Sequence, residues 1–135
     1  MRRAGENTPV HERLAAVRPP LLDLHRRLLE AERADMERFQ GRLSNAEFLQ
    51  IATGGIRLGW LQPLSELIVE LDEALVAGPG DGDAPDPQAI LDRARSLVAP
   101  PDETTPFGRR YLNVLQRDPG VVLAHAELVR ALGAA

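Results

Sequence analysis

The chain is predicted to be all-α, a compact antiparallel bundle of four to six helices. Three observations lead there. Apolar residues recur at helical spacing along most of its length. Residues that cap helices stand directly before proline, or three before glutamate, at Ser44–Glu47, Asp86-Pro87, Thr105-Pro106 and Asp118-Pro119. No strand-like alternation bounded by hairpin turns occurs, and no repeat of solenoid spacing. A length of 135 residues fits one core. Residues 1–18 are read as an N-terminal arm or short helix, and 19–133 as a single helical-bundle domain with a flexible Gly/Pro/Asp loop at 78–86.

The first short helix begins near Thr8-Pro9, with Val10, Leu14 and Val17 on one face; Pro19-Pro20 is expected to end or bend it. The same prolines suit the first turn of a long helix from about Pro20 to Arg42, carried by Leu21, Leu22, Leu28, Leu29, Met36 and Phe39. Ser44 and Glu47 are spaced as a capping box, and Leu43 and Phe48 as a hydrophobic staple, so another helix starts there. It should weaken at Thr53-Gly54-Gly55, where each glycine costs roughly 1 kcal/mol relative to alanine.

An amphipathic segment from about Leu58 to Val76 follows, with Trp60, Leu64, Leu67, Ile68, Leu71 and Leu75 inward. Its Pro63 is tolerable only if the regular helix begins near Trp60. Residues 78–86 hold glycine, proline and aspartate and form a loop. Asp86-Pro87 caps a helix to about Val98 with Ile90, Leu91, Ala94, Leu97 and Val98 inward, and Pro100-Pro101 ends it. Thr105-Pro106 starts a segment carrying Phe107, Tyr111, Val114 and Leu115, and Asp118-Pro119 caps a last helix ending at Gly133.

The chemical inventory is thin. There is no cysteine, which excludes disulfides, thiolate nucleophiles and cysteine metal sites. All 16 basic residues are arginine, which removes Schiff-base and other lysine chemistry. The net charge is −4 and the basic residues are largely matched by nearby acids, unlike the clustered positive charge of nucleic-acid binders. No signal-peptide stretch and no long apolar run is present, so the cytoplasm is expected and a membrane is not.

Two helices place polar residues where a helical wheel expects core. Advancing about 100° per residue from Leu21 sets His25 near 40° and Glu32 near 20°, among Leu28, Leu29, Met36 and Phe39. From Val121, His125 falls near 40°, flanked by Leu128, Val129 and Leu132. In one reading His125 reaches His25 or Glu32 and the three form a metal, ligand or proton-handling site inside the bundle. In the other, inward polar groups satisfy one another and fix helix register. His125→Leu is then expected to leave the fold intact or to stabilise it. His25 and Glu32 lie about 10.5 Å apart along the axis, awkward for one metal ion, and no Glu-x-x-His pair of the di-iron bundles is present.

Glu66, Glu70 and Glu73 share a helix flank and make an acidic ridge. It is either a solvated face or a docking surface for a basic partner, such as Arg109 and Arg110 of a second copy. Trp60 beside Pro63 is read as core or as a partly exposed aromatic patch. Gly54-Gly55 and Gly59 lack the frame of a phosphate loop. Aspartates 81, 83 and 86 lack the closing glutamate of a calcium loop. Ser44, Ser65 and Ser96 have no histidine nearby in sequence, which leaves only a spatial neighbour as a base, and nucleophilic catalysis has no positive support.

Residues 24–30 (LHRRLLE), 60–68 (WLQPLSELI) and 118–126 (DPGVVLAHA) resemble segments of small all-helical bacterial proteins of unknown function, over most of residues 20–132. That resemblance implies no activity, cofactor or catalytic residue. The expectation is a non-enzymatic cytoplasmic interaction or accessory protein, with a protein partner or itself as homodimer, no cofactor, and its surface on the first long helix or the acidic ridge. The alternative is a metal-, cofactor- or small-ligand-binding bundle built on His25, Glu32 and His125.

Overall fold

The computed structural model describes residues 8–54, 58–78, 80 and 82–134. Its elements are α1 (Thr8–Gln40), α2 (Asn45–Gly54), a 3-10 turn (Gly59–Leu61), α3 (Gln62–Ala77), α4 (Pro87–Val98), α5 (Pro106–Leu115) and α6 (Pro119–Ala134), with no strand among the described residues. Helices α1, α3, α4 and α6 close a ring, each packed on the next, with α1 also touching α4. Cross-links set their directions. Arg18–Asp72 and His25–Ser65 run α3 antiparallel to α1, and Arg117–Asp35 with Arg27 beside Gly120 does the same for α6. Helix α5 packs on α6, on α4 and on the 3-10 turn.

The capping signals hold. Ser44 Oγ accepts from Glu47 N at 3.1 Å while Glu47 Oε1 accepts from Ser44 N at 3.0 Å, and these bonds hold the Glu47 carboxyl below its usual range. Asp86, Thr105 and Asp118 each accept from a backbone N–H of the following turn. Pro63 falls within the first two positions of α3, where no intrahelical N–H is lost. Helix α2 stops at Gly54; Gly55 and Asp81, which the sequence reading also used, lie outside the described residues. Gly78 and Gly80 take φ of 77° and 90° between α3 and α4, a region other residues avoid.

Two expectations about the first helix are corrected. Pro19 and Pro20 do not end it: α1 runs unbroken through both from Thr8, while residues 1–7 of the expected arm lie outside the described residues. Each interior proline costs about 3 kcal/mol, but the carbonyls left without donors belong to Ala15 and Ala16, which are exposed and meet water. On the opposite face Leu14, Val17, Leu21 and Leu24 are fully buried, at about 1.5–3 kcal/mol each. Burial outweighs the two lost hydrogen bonds.

The second correction is Phe39. It continues the stripe of Leu21, Leu28 and Met36, yet it is 82 % exposed. Asp35, one turn earlier, meets Arg117 in the turn between α5 and α6, and the stripe leaves the core after Met36. The core is otherwise one cluster drawn from α1, α3, α4, α5 and α6 with Leu43, Leu58 and Leu61 from the connections, and Phe48, Ile51 and Ala52 of α2 pack against it.

Candidate functional site

Three polar side chains do point inward, but each meets a different partner. On α1, His25 Nε2 lies 3.1 Å from Ser65 Oγ of α3. One face-turn further, Glu32 is 1 % exposed, and its Oε1 accepts from Arg110 Nε at 2.9 Å and Nη2 at 2.6 Å. The same guanidinium stands 3.5 Å from Asp35, which also faces Arg117 at 3.4 Å. Two acids of α1 thereby anchor α5 and the turn after it. On α6, His125 Nδ1 shares a 2.6 Å hydrogen bond with the Tyr111 hydroxyl.

His25, Glu32 and His125 thus bond three different side chains rather than one another. One hydrogen-bonding atom of each is engaged, by Ser65, Arg110 and Tyr111 respectively, and no group of three His, Asp or Glu side chains placed to hold a metal occurs among the described residues. The physical reason is register: an inward carboxylate is held most strongly by a two-pronged guanidinium, and Arg110 reaches it from α5. Arg110 is consequently not a free arginine for docking to a second copy's acidic ridge. The ridge is itself partly matched, since Arg93 Nη1 bonds Glu70 at 2.5 Å and Gln62 donates to Glu66 at 2.9 Å, while Glu73 remains exposed.

His125 also ends a run of rings. Trp60 and Phe107 lie 5.6 Å apart between centroids, Phe107 stacks on Tyr111 at 5.4 Å, and Tyr111 meets His125 at 5.6 Å. Burial raises the Tyr111 pKa, so its hydroxyl stays protonated. This changes the expectation for His125→Leu: the fully buried Tyr111 would lose its partner, at roughly 1–3 kcal/mol. The pairing was foreshadowed by placing both Tyr111 and His125 inward, because a buried phenol needs a partner.

Burial lowers the pKa of both His25 and His125 from 6.5, so both are neutral in the fold near pH 7. In the unfolded chain they gain protons as pH falls through about 6.5, before the folded ones do, so the unfolded state is favoured on acidification. Stability is expected to be full above about pH 7 and to decline as pH falls below 6.5. Urea midpoints at pH 7.5 and 5.5 check this: a lower midpoint at 5.5 agrees, and equal midpoints contradict it.

Surface features complete the inventory. The α5–α6 turn carries an open apolar groove of about 440 Å³ lined by Leu115, Gln116, Arg117, Asp118, Pro119, Val122 and Leu123. Leu123 is 67 % exposed. At the start of α3 a second cavity of about 440 Å³ lies between Trp60, Pro63, Leu97, Pro106 and Phe107. Sequence reasoning missed the second because its walls come from segments distant in the chain, and the first because the α5–α6 turn was read only for its Asp118-Pro119 cap. Among the described residues no helix is long and apolar enough to cross a membrane. No protein-family model, no curated protein and no solved structure matches the chain, so function is read from these residues.

Proposed function

We propose that the chain is a cytoplasmic accessory protein that acts by binding rather than by catalysis, and that it pairs with a second copy through the end of the bundle bearing Phe39. The exposure of Phe39 carries this reading: a large aromatic on the core-facing stripe of α1 stands in water, where solvation is unfavourable by about 25 cal/mol per Å² of apolar surface. The same end holds the groove of Leu115, Pro119, Val122 and Leu123, linked to α1 through Arg117 and Asp35. A two-fold interface needs one patch to be complementary to itself, and the protruding ring of each copy seated in the apolar groove of the other would meet that need. The non-catalytic half is supported by the partner that each of His25, Glu32 and His125 has within the protein.

Light scattering across a concentration series tests the pairing. The wild type is expected to approach twice 14.8 kDa, and Phe39→Ser to remain at the single-chain mass. The exposed position makes that substitution harmless to folding. A monomeric wild type at high concentration overturns the proposal. Salt separates it from docking through the acidic ridge, since charge-driven association weakens as salt is added and apolar association does not.

A further inference from the structure

The cavity at the start of α3 has a floor of rings and one acidic group at its edge. Trp60 and Phe107 meet at 41° with centroids 5.6 Å apart, and Pro63, Leu97 and Pro106 complete the apolar wall. Phe107 is stacked on the fully buried Tyr111, so this floor is anchored to the core. Glu66 lines the cavity and also an adjoining depression of about 270 Å³ between α3 and α4.

The charge there is unbalanced. Glu66 and Glu70 face one guanidinium, that of Arg93, and its hydrogen bond goes to Glu70. Glu66 feels Arg93 at longer range, and the hydrogen bond it accepts comes from a neutral amide, Gln62 at 2.9 Å. Trp60 adds an independent sign. Its indole N–H is buried with no acceptor, a cost a phenyl ring filling the same place would avoid. What indole has in greater measure is a negative π-face, the strongest of the aromatic side chains toward a cation.

We propose that this cavity binds a small organic cation with an apolar arm, an aryl-alkyl ammonium being the simplest. The ammonium sits between the face of Trp60 and Glu66, and the arm lies on Phe107, Pro63 and Pro106. A volume of about 440 Å³ falls within the usual range for small-molecule sites. No residue of this cavity belongs to the end of the bundle proposed for pairing, so the two proposals stand or fall separately.

Trp60 is the chain's only tryptophan, so its emission reports on this cavity. The full chain at pH 7.5 is titrated with 4-phenylbutylamine, with the neutral 4-phenylbutanol and with 4-phenylbutyrate. The ammonium is expected to change the emission saturably and to bind at least about tenfold more tightly than the alcohol, with the carboxylate weakest. In Glu66→Gln that preference should fall to less than about threefold, while exposed Glu73→Gln should leave it unchanged. Equal binding of amine and alcohol, an unaltered preference in Glu66→Gln, or no saturable change up to about 10 mM amine overturns the proposal.

Discussion

Arg110→Ala is expected to lower the stability of the fold by about 3 kcal/mol. Glu32 is 1 % exposed and receives both of its Arg110 hydrogen bonds on a single oxygen. Removing the guanidinium leaves a carboxylate among Leu28, Met36 and the other buried residues of α1 with nothing to replace that pair. The cost sits at the low end of the about 3–5 kcal/mol seen for broken buried pairs, because Arg110 is itself 32 % exposed and its loss admits water. The double change Glu32→Leu with Arg110→Leu should recover most of the loss, since exchanging a whole buried pair for apolar groups is often neutral or better. Urea unfolding followed by circular dichroism measures both. A single variant as stable as the wild type would show that the pair contributes nothing.

Gly108→Ala is expected to cost about 3 kcal/mol, against the roughly 1 kcal/mol gain that alanine brings at an ordinary helix position. The sign is reversed by one contact. A Cβ built on Gly108 stands 1.8 Å from the backbone oxygen of Asp102, and that oxygen is held in place, accepting from Thr105 N at 3.1 Å and Thr105 Oγ1 at 2.9 Å. Thr105 in turn caps α5 by accepting from Gly108 N. The cap and the close approach are one unit, so α5 must move to admit a methyl group, taking Phe107 and Tyr111 with it. Gly133→Ala, which meets open space, serves as the control and should be neutral or stabilising by up to about 1 kcal/mol. Similar midpoints for the two variants would contradict the close packing of α5 on the preceding turn.

What was legible in the sequence was local. The capping box at Ser44 and Glu47, the caps at Asp86, Thr105 and Asp118, and the allowed place of Pro63 each depend on residues within one turn, and each appears as expected. Pro19-Pro20 misled because a helix-breaking signal is also local, whereas what holds α1 together is burial against α3 and α6. The wheel aimed His25, Glu32 and His125 correctly inward. It could not name Ser65, Arg110 and Tyr111 as their partners, because pairing across helices depends on how far each helix slides along the next. Phe39 failed for the same reason: periodicity reports a face, while exposure depends on where the neighbouring helices stop.

That helix end is where the proposed function resides, and a distance between copies tests it most directly. The chain has no cysteine, so single cysteines placed at exposed Ala34 and at exposed Ala15 can each carry one nitroxide without background. These positions lie about 28 Å apart along α1. If two copies meet through Phe39 and the α5–α6 groove, pulsed dipolar spectroscopy is expected to give an Ala34 pair within about 40 Å and an Ala15 pair longer by tens of ångströms. No dipolar signal from Ala34, or a shorter distance at Ala15 than at Ala34, would contradict pairing through this end of the bundle.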